Sequence, residues 1–173
     1  IKKTQFYRLI KILVLILHRR ELNFILTTLM RLTFLGTNGW YDSGTGNTPS
    51  ALLETEKYYI IFDAGFGLAK VGELIKDDPK GASKPIFLFL SHFHLDHICG
   101  LHTLPKFNFK QGLTIFGRKD IKKLFKKVIN HPFSAPLDYL RYKVNLVPLK
   151  EGSYTKPFNF SCRQLKHMDS AMG

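Results

Sequence analysis

A chain of 173 residues, 45% of them hydrophobic, is long enough to bury one core, and no low-complexity linker divides it. Two cysteines, Cys99 and Cys162, are too few for a disulfide framework and suit a reducing, cytoplasmic setting. The net charge is +13, of which residues 1–29 contribute +5 (six Lys/Arg against one Glu) and residues 30–173 contribute +8 (20 Lys/Arg against 12 Asp/Glu), so the larger part is basic in its own right and favours polyanionic partners, nucleic acid first.

Residues 1–29 are rich in Ile, Leu, Lys and Arg and contain neither glycine nor proline. Their apolar run, Leu9 to Leu17 around Lys11, is far shorter than the roughly 20 residues that span a bilayer. No small-residue cleavage site follows it; Arg19, Arg20 and Glu21 interrupt it instead. The segment reads as an upstream extension or a short amphipathic helix, with the domain proper at residues 30–173.

From there the pattern predicts strands at 31–35, 51–54 and 58–62. The glycine- and hydroxyl-rich loop Gly44–Ser50 lies after the first of these and lacks the lysine of a phosphate-binding P-loop. A helix is expected from Leu68 to Lys76, ended by Asp77-Asp78-Pro79. Pro85 to Leu90 is continuously apolar after its proline, the pattern of a strand covered on both faces. A helix from about Asp96 towards Leu104, stopped by Pro105, comes next, then a strand at 113–116. Residues 119–130 form the clearest helix: Ile121, Leu124, Phe125, Val128 and Ile129 make one apolar stripe, and Lys122, Lys123, Lys126 and Lys127 share the other side. His131-Pro132 reads as a helix-ending turn, and strands at 144–147 and 158–162 close the list.

Chemistry concentrates in Ser91-His92-Phe93-His94-Leu95-Asp96-His97, directly behind the apolar strand. In an extended segment His92 and His94 point to the same side, and a turn must follow for the adjacent Asp96 and His97 to aim differently. Three imidazoles and a carboxylate suit zinc or a similar borderline metal. His102 and His131 stand outside the pattern and read as structural, as does Cys99 near the loop.

His-x-His-x-Asp-His after an apolar strand resembles the signature of the metallo-β-lactamase fold superfamily. His97 directly after Asp96, and the continuation Ile98-Cys99-Gly100-Leu101, are similar to its ribonuclease Z-like and phosphodiesterase branch. Arg31-Leu32-Thr33-Phe34-Leu35-Gly36-Thr37 resembles the opening strand and glycine turn of that branch. Ile60-Ile61-Phe62-Asp63-Ala64-Gly65 resembles its strand ending in Asp-x-Gly. Leu165-Lys166-His167-Met168-Asp169-Ser170 resembles the segment carrying its next metal-binding histidine.

The resemblance implies an α/β fold, the αββα sandwich, present as an incomplete domain: the first half plus part of the second layer. It implies two Zn2+ ions per complete domain, with Mn2+ or Fe2+ as alternatives. His92, His94 and His167 would hold the first, and Asp96 and His97 would contribute to the second. Asp96 would also hold or deprotonate the attacking water, and Asp63 would fix the tautomer of a ligand imidazole. The family's later bridging aspartate and last histidine have no place in the six residues after His167, and the chain opens on Ile1, so both ends are expected to be cut.

The expected activity is hydrolysis of a phosphodiester in RNA by a metal-activated water, with Lys122 and Lys126 on phosphates. A small-molecule phosphodiesterase acting on cyclic nucleotides or sugar phosphates, and a non-catalytic metal-binding fragment, are the alternatives. The resemblance also allows a homodimer.

Overall fold

In the computed structural model the described residues are 30–76, 81, 83–167 and 171–173. The upstream segment 1–29, the Asp77-Asp78-Pro79 expected to end a helix, and Asp169 lie outside them. Among the described residues no helix is long and apolar enough to cross a membrane.

The strands predicted from the apolar runs assemble into one six-stranded sheet whose spatial order follows the chain: β1 (Arg31–Gly36), β2 (Ser50–Glu54), β3 (Tyr59–Phe62), β4 (Ile86–Phe89), β5 (Leu113–Arg118) and β6 (Val144–Leu149). The first two pairings are antiparallel: a loop of residues 37–49 joins β1 to β2, and the short turn 55–58 joins β2 to β3. From β3 to β6 the pairings are parallel, and each connection carries helix or 3-10 turns across one face. β4 lies in the interior of the sheet and is covered on both faces, as its continuous apolar run requires.

One face of the sheet packs Leu52, Ile61, Leu88 and Ile115 against the helical layer. That layer comprises a 3-10 segment (Phe66–Lys70) running into α1 (Val71–Lys76), then α2 (Leu95–Ile98), then α3 (Ile121–Val128). The opposite face packs Ile60, Phe87 and Phe116 against aromatic residues of a second, small β layer. This layer is the antiparallel pair β7 (Gly152–Tyr154) and β8 (Phe160–Cys162), with β9 (Gln164–Leu165) and β10 (Ala171–Met172) beside it. Phe89, for example, stacks on Phe116 at 4.6 Å and meets the edge of Phe160 at 5.2 Å. Towards β1 the second face is less covered: Phe34 is 49% and Phe62 44% exposed.

Three predicted helices differ in form. The segment expected to be one helix from Leu68 to Lys76 is a 3-10 turn followed by α1. The helix expected from Asp96 to Leu104 is α-helical only over Leu95–Ile98. It then tightens into a 3-10 run, Cys99–Lys106, that continues through Pro105. The tightening follows from close packing. Gly100 lies so near the backbone after β3 that a Cβ there would stand 2.1 Å from the Gly65 carbonyl oxygen. Its own N–H donates to the Ala64 carbonyl at 2.7 Å. The third helix is shorter than its periodicity suggested, Ile121–Val128 rather than 119–130. Ile121 and Phe125 are buried and the four lysines exposed, as the stripe required. The pairings of β7, β9 and β10 had no counterpart in the sequence pattern.

Candidate metal centre

The centre sits at the carboxyl ends of the parallel strands β3 and β4, where open α/β sheets place their ligands. β4 ends at Phe89, and residues 90–94 continue without regular pairing until α2 begins at Leu95 with His94 as its N-cap. That extended stretch brings His92 and His94 together, ring centroids 4.5 Å apart and nearly perpendicular. His167, arriving from beyond β9, lies 4.7 Å from His92 and 5.0 Å from His94 by the same measure. One ring nitrogen from each of the three lies within 4.8 Å of the other two. Three convergent imidazoles, one buried, one half-buried and one exposed, fit a borderline divalent ion approached from solvent.

Asp96 and His97 leave the helix beside this triad. His97 Nε2 faces Asp96 Oδ2 at 3.7 Å, and the His97 ring lies 4.1 Å from that of His92. They form a pair adjacent to the three histidines rather than part of that cluster. The backbone N–H of Trp40, from the β1–β2 loop, donates to Asp96 Oδ2 at 3.0 Å and helps to orient that carboxylate.

Asp63 holds the assembly from behind. It follows β3 with φ at 57°, a left-handed conformation that Asp tolerates better than most residues. Its Oδ2 accepts from His97 Nδ1 at 2.8 Å, and its Oδ1 accepts from the Ser91 N–H at 2.8 Å. The Ser91 hydroxyl donates to the same carboxylate at 2.9 Å and also lies 3.0 Å from His92 Nδ1. One carboxylate therefore orients His97 directly and His92 through Ser91, leaving each Nε2 for the open side. Asp63 bonds His97 directly and reaches His92 through Ser91, behind the rings rather than in front of them. Ser91 has no role in the sequence motif; its position at the junction of strand and first histidine is the one local signal for it.

The other singled-out residues are elsewhere. Lys122 and Lys126 are exposed on α3, whose buried Phe125 meets Phe93 of the histidine loop edge-on at 6.1 Å. Cys99 lies 3.4 Å from the Thr48 hydroxyl and outside the triad, and Cys162 is buried with its thiol 2.8 Å from the Lys150 carbonyl. His102 bonds the Cys99 carbonyl, and His131 meets the edge of Tyr139 at 5.8 Å.

Burial, reinforced by neighbouring His97, lowers the His92 pKa from 6.5 to about 4. For His97 burial acts downward, but the hydrogen bond and charge of Asp63 outweigh it and the pKa is raised. The signs oppose. His92 contributes stability that is present above its unfolded value of 6.5 and is lost as pH falls towards about 4. His97 contributes stability that is complete below its unfolded value and is lost as pH rises through its folded one. In a metal-free NMR titration, the His92 Cε1–H resonance should hold its neutral shift down to about pH 5, while that of His97 moves above pH 6.5. Parallel titration of both at 6.5 would mean that neither burial nor Asp63 acts as described.

Asp63→Asn keeps the shape and tolerates the left-handed backbone but removes the charge. It should weaken metal binding by about 10- to 100-fold, read by competition with a chromogenic chelator, while the melting temperature changes little. Unchanged affinity would show that Asp63 does not act through the imidazoles.

Residues 43–111 match the family model described as the metallo-beta-lactamase superfamily. Ribonuclease Z of Thermococcus onnurineus is 30% identical over 131 residues, covering 73% of this chain and 41% of that protein. Ribonuclease Z of Methanosarcina mazei is 29% identical over 153 residues, covering 84% and 47%. The chain thus spans less than half the length of these curated relatives. Among solved structures, the metallo-beta-lactamase fold protein YhfI from Bacillus subtilis superimposes with a TM-score of 0.60 at 20% identity, covering 83% of this chain and 56% of that one. The short form of human tRNase Z gives 0.57 at 22% identity, covering 83% and 63%. Motif, matched family model and three-dimensional superposition agree: over the stretch shared with these proteins, this chain has the metallo-β-lactamase fold, and its similarity in sequence is to ribonuclease Z.

Proposed function

We propose that the protein is a zinc-dependent phosphodiesterase that cleaves RNA, similar in activity to the ribonuclease Z relatives. The observation that carries this reading is the convergence of His92, His94 and His167, with Asp63 and Ser91 fixing the imidazoles from behind. A divalent ion held there would supply charge neutralisation for phosphoryl oxygens and would acidify water at neutral pH. The chain's own residues do the rest. His92 is neutral at physiological pH, so its nitrogen is available as a ligand without competition from a proton. Asp96, whose carboxylate accepts from the Trp40 N–H and faces His97, would accept a proton from an attacking water. The basic surface, +8 over residues 30–173, draws in a polyanion.

The test uses the 173-residue chain and the full reading frame that encodes it, each loaded with Zn2+. Hydrolysis of bis(p-nitrophenyl) phosphate measures the site alone, and 3′ cleavage of a precursor tRNA measures it with the RNA surface. The double change Lys122→Glu and Lys126→Glu should leave turnover of the small diester within about twofold. It should raise KM for RNA by about tenfold and flatten its salt dependence by about two phosphate contacts. Diester hydrolysis without RNA cleavage would point to a small-molecule phosphodiesterase. Metal binding without any diester hydrolysis would reject the substrate class and direct attention to thioesters and lactones.

A further inference from the structure

Beside the centre, the β1–β2 loop carries two adjacent aromatic side chains in solvent, Trp40 at 83% and Tyr41 at 73% exposure. Single exposed apolar residues are ordinary on a protein surface. These two are neighbours on a loop held by several hydrogen bonds, and among the described residues neither packs on another ring. The Asn38 amide donates to the Ser43 hydroxyl at 2.8 Å and to the Gly46 carbonyl at 2.7 Å. Asp42 accepts from the Thr48 N–H at 2.6 Å and from the Asn47 amide at 3.2 Å. Ser43 and Gly46 bridge the loop's waist. Trp40 itself has φ at 70°, and its N–H is bonded to Asp96 Oδ2. The loop is therefore attached to the carboxylate next to the three histidines while its rings remain outside the core.

We infer that Trp40 and Tyr41 form a stacking platform for a base of single-stranded RNA flanking the phosphodiester held at the histidines, an inference that rests on the hydrolase reading. Two features select a base over an apolar partner. The platform adjoins a centre suited to phosphate, in a stretch (residues 30–173) of net charge +8, so its ligand is anionic. An anion that also offers a flat π-face to an aromatic ring is a nucleotide. Stacking of this kind is tolerant of sequence, so the loop sets where the strand lies rather than which bases it bears.

Trp40 is the chain's single tryptophan, so its fluorescence reports the platform directly. The metal-free chain is titrated with a short, unstructured, end-labelled RNA, following both tryptophan emission and label anisotropy. Saturation should quench emission substantially. Trp40→Ala should raise Kd about tenfold, Tyr41→Ala should raise it severalfold, and Trp40→Phe should stay within about threefold because the ring is kept. An oligonucleotide of the same length without bases should bind wild type and Trp40→Ala equally, since only phosphate contacts remain. If RNA binds with salt-sensitive anisotropy while emission and the Trp40→Ala affinity do not change, the platform is rejected and the RNA-cleaving reading stands. If no RNA binds at all, the platform is rejected, and the RNA-cleaving reading is decided separately by the precursor tRNA assay on the Zn2+-loaded protein.

Discussion

Gly100→Ala is expected to destabilise the protein by about 3 kcal/mol, the upper part of the usual range for overpacking, because the added carbon meets backbone rather than a side chain that can move aside. The distances decide this: 2.1 Å to the Gly65 carbonyl oxygen and 2.9 Å to that of Ala64. Retreat is blocked, since Gly100 N–H is bonded to Ala64 and the Ala64 N–H to the His97 carbonyl. For a chain of this size the loss corresponds to a melting temperature lower by roughly 6–12 °C. The same substitution should weaken metal binding, because the segment pushed away begins at the histidine loop. Gly39→Ala, where a Cβ meets nothing within 4 Å, is the control and should melt like the parent. A Gly100→Ala protein that melts normally would show that the 3-10 run does not pack on the end of β3 as described.

His94→Ala should remove tight metal binding from the triad. Four-ligand zinc sites carry apparent binding energies of roughly 10–16 kcal/mol, about 3 per ligand, so one lost imidazole corresponds to at least about a hundredfold in affinity. His94 is half-buried at the start of α2, where alanine leaves little void, so the fold should survive. His102→Ala serves as the control: that ring lies outside the triad, bonded to the Cys99 carbonyl. Equal affinity in His94→Ala and the parent would move the ion to the Asp96 and His97 pair. Chelator competition on the three proteins separates these outcomes.

Local pattern was enough wherever a feature lies within a few residues. The apolar run of β4, the striped α3 with its lysines outside, and the spacing of His92 and His94 are all short-range consequences of period 2 or period 3.6. The glycines of Asp63-Ala64-Gly65 and Ile98-Cys99-Gly100 were legible as motif, but their reason was not: Gly100 makes room for the Ala64 and Gly65 carbonyls, and Gly65 for the Asp96 carbonyl and the Thr48–Pro49 backbone, contacts between segments far apart in the chain. The 3-10 form of Cys99–Lys106, which carries Pro105 within it, follows from the first of these contacts and overrides the expectation that proline ends the helix. β7, β9 and β10 are only two or three residues long, too short for any periodicity to register.

The amino-acid sequence by itself determined which ligand-type side chains lie close together, because three imidazoles and one carboxylate fall within six residues behind a core strand. It also determined the sheet's hydrophobic faces and the charge on the surface. Only the tertiary structure decided how these meet. Asp63 reaches across 28 positions to Ser91 and 34 to His97, and His167 closes on two rings more than 70 residues earlier. Trp40 ties its loop to Asp96 from 56 residues away. Such contacts depend on where parallel strands end in space, which the order and register of the sheet set and no local pattern records.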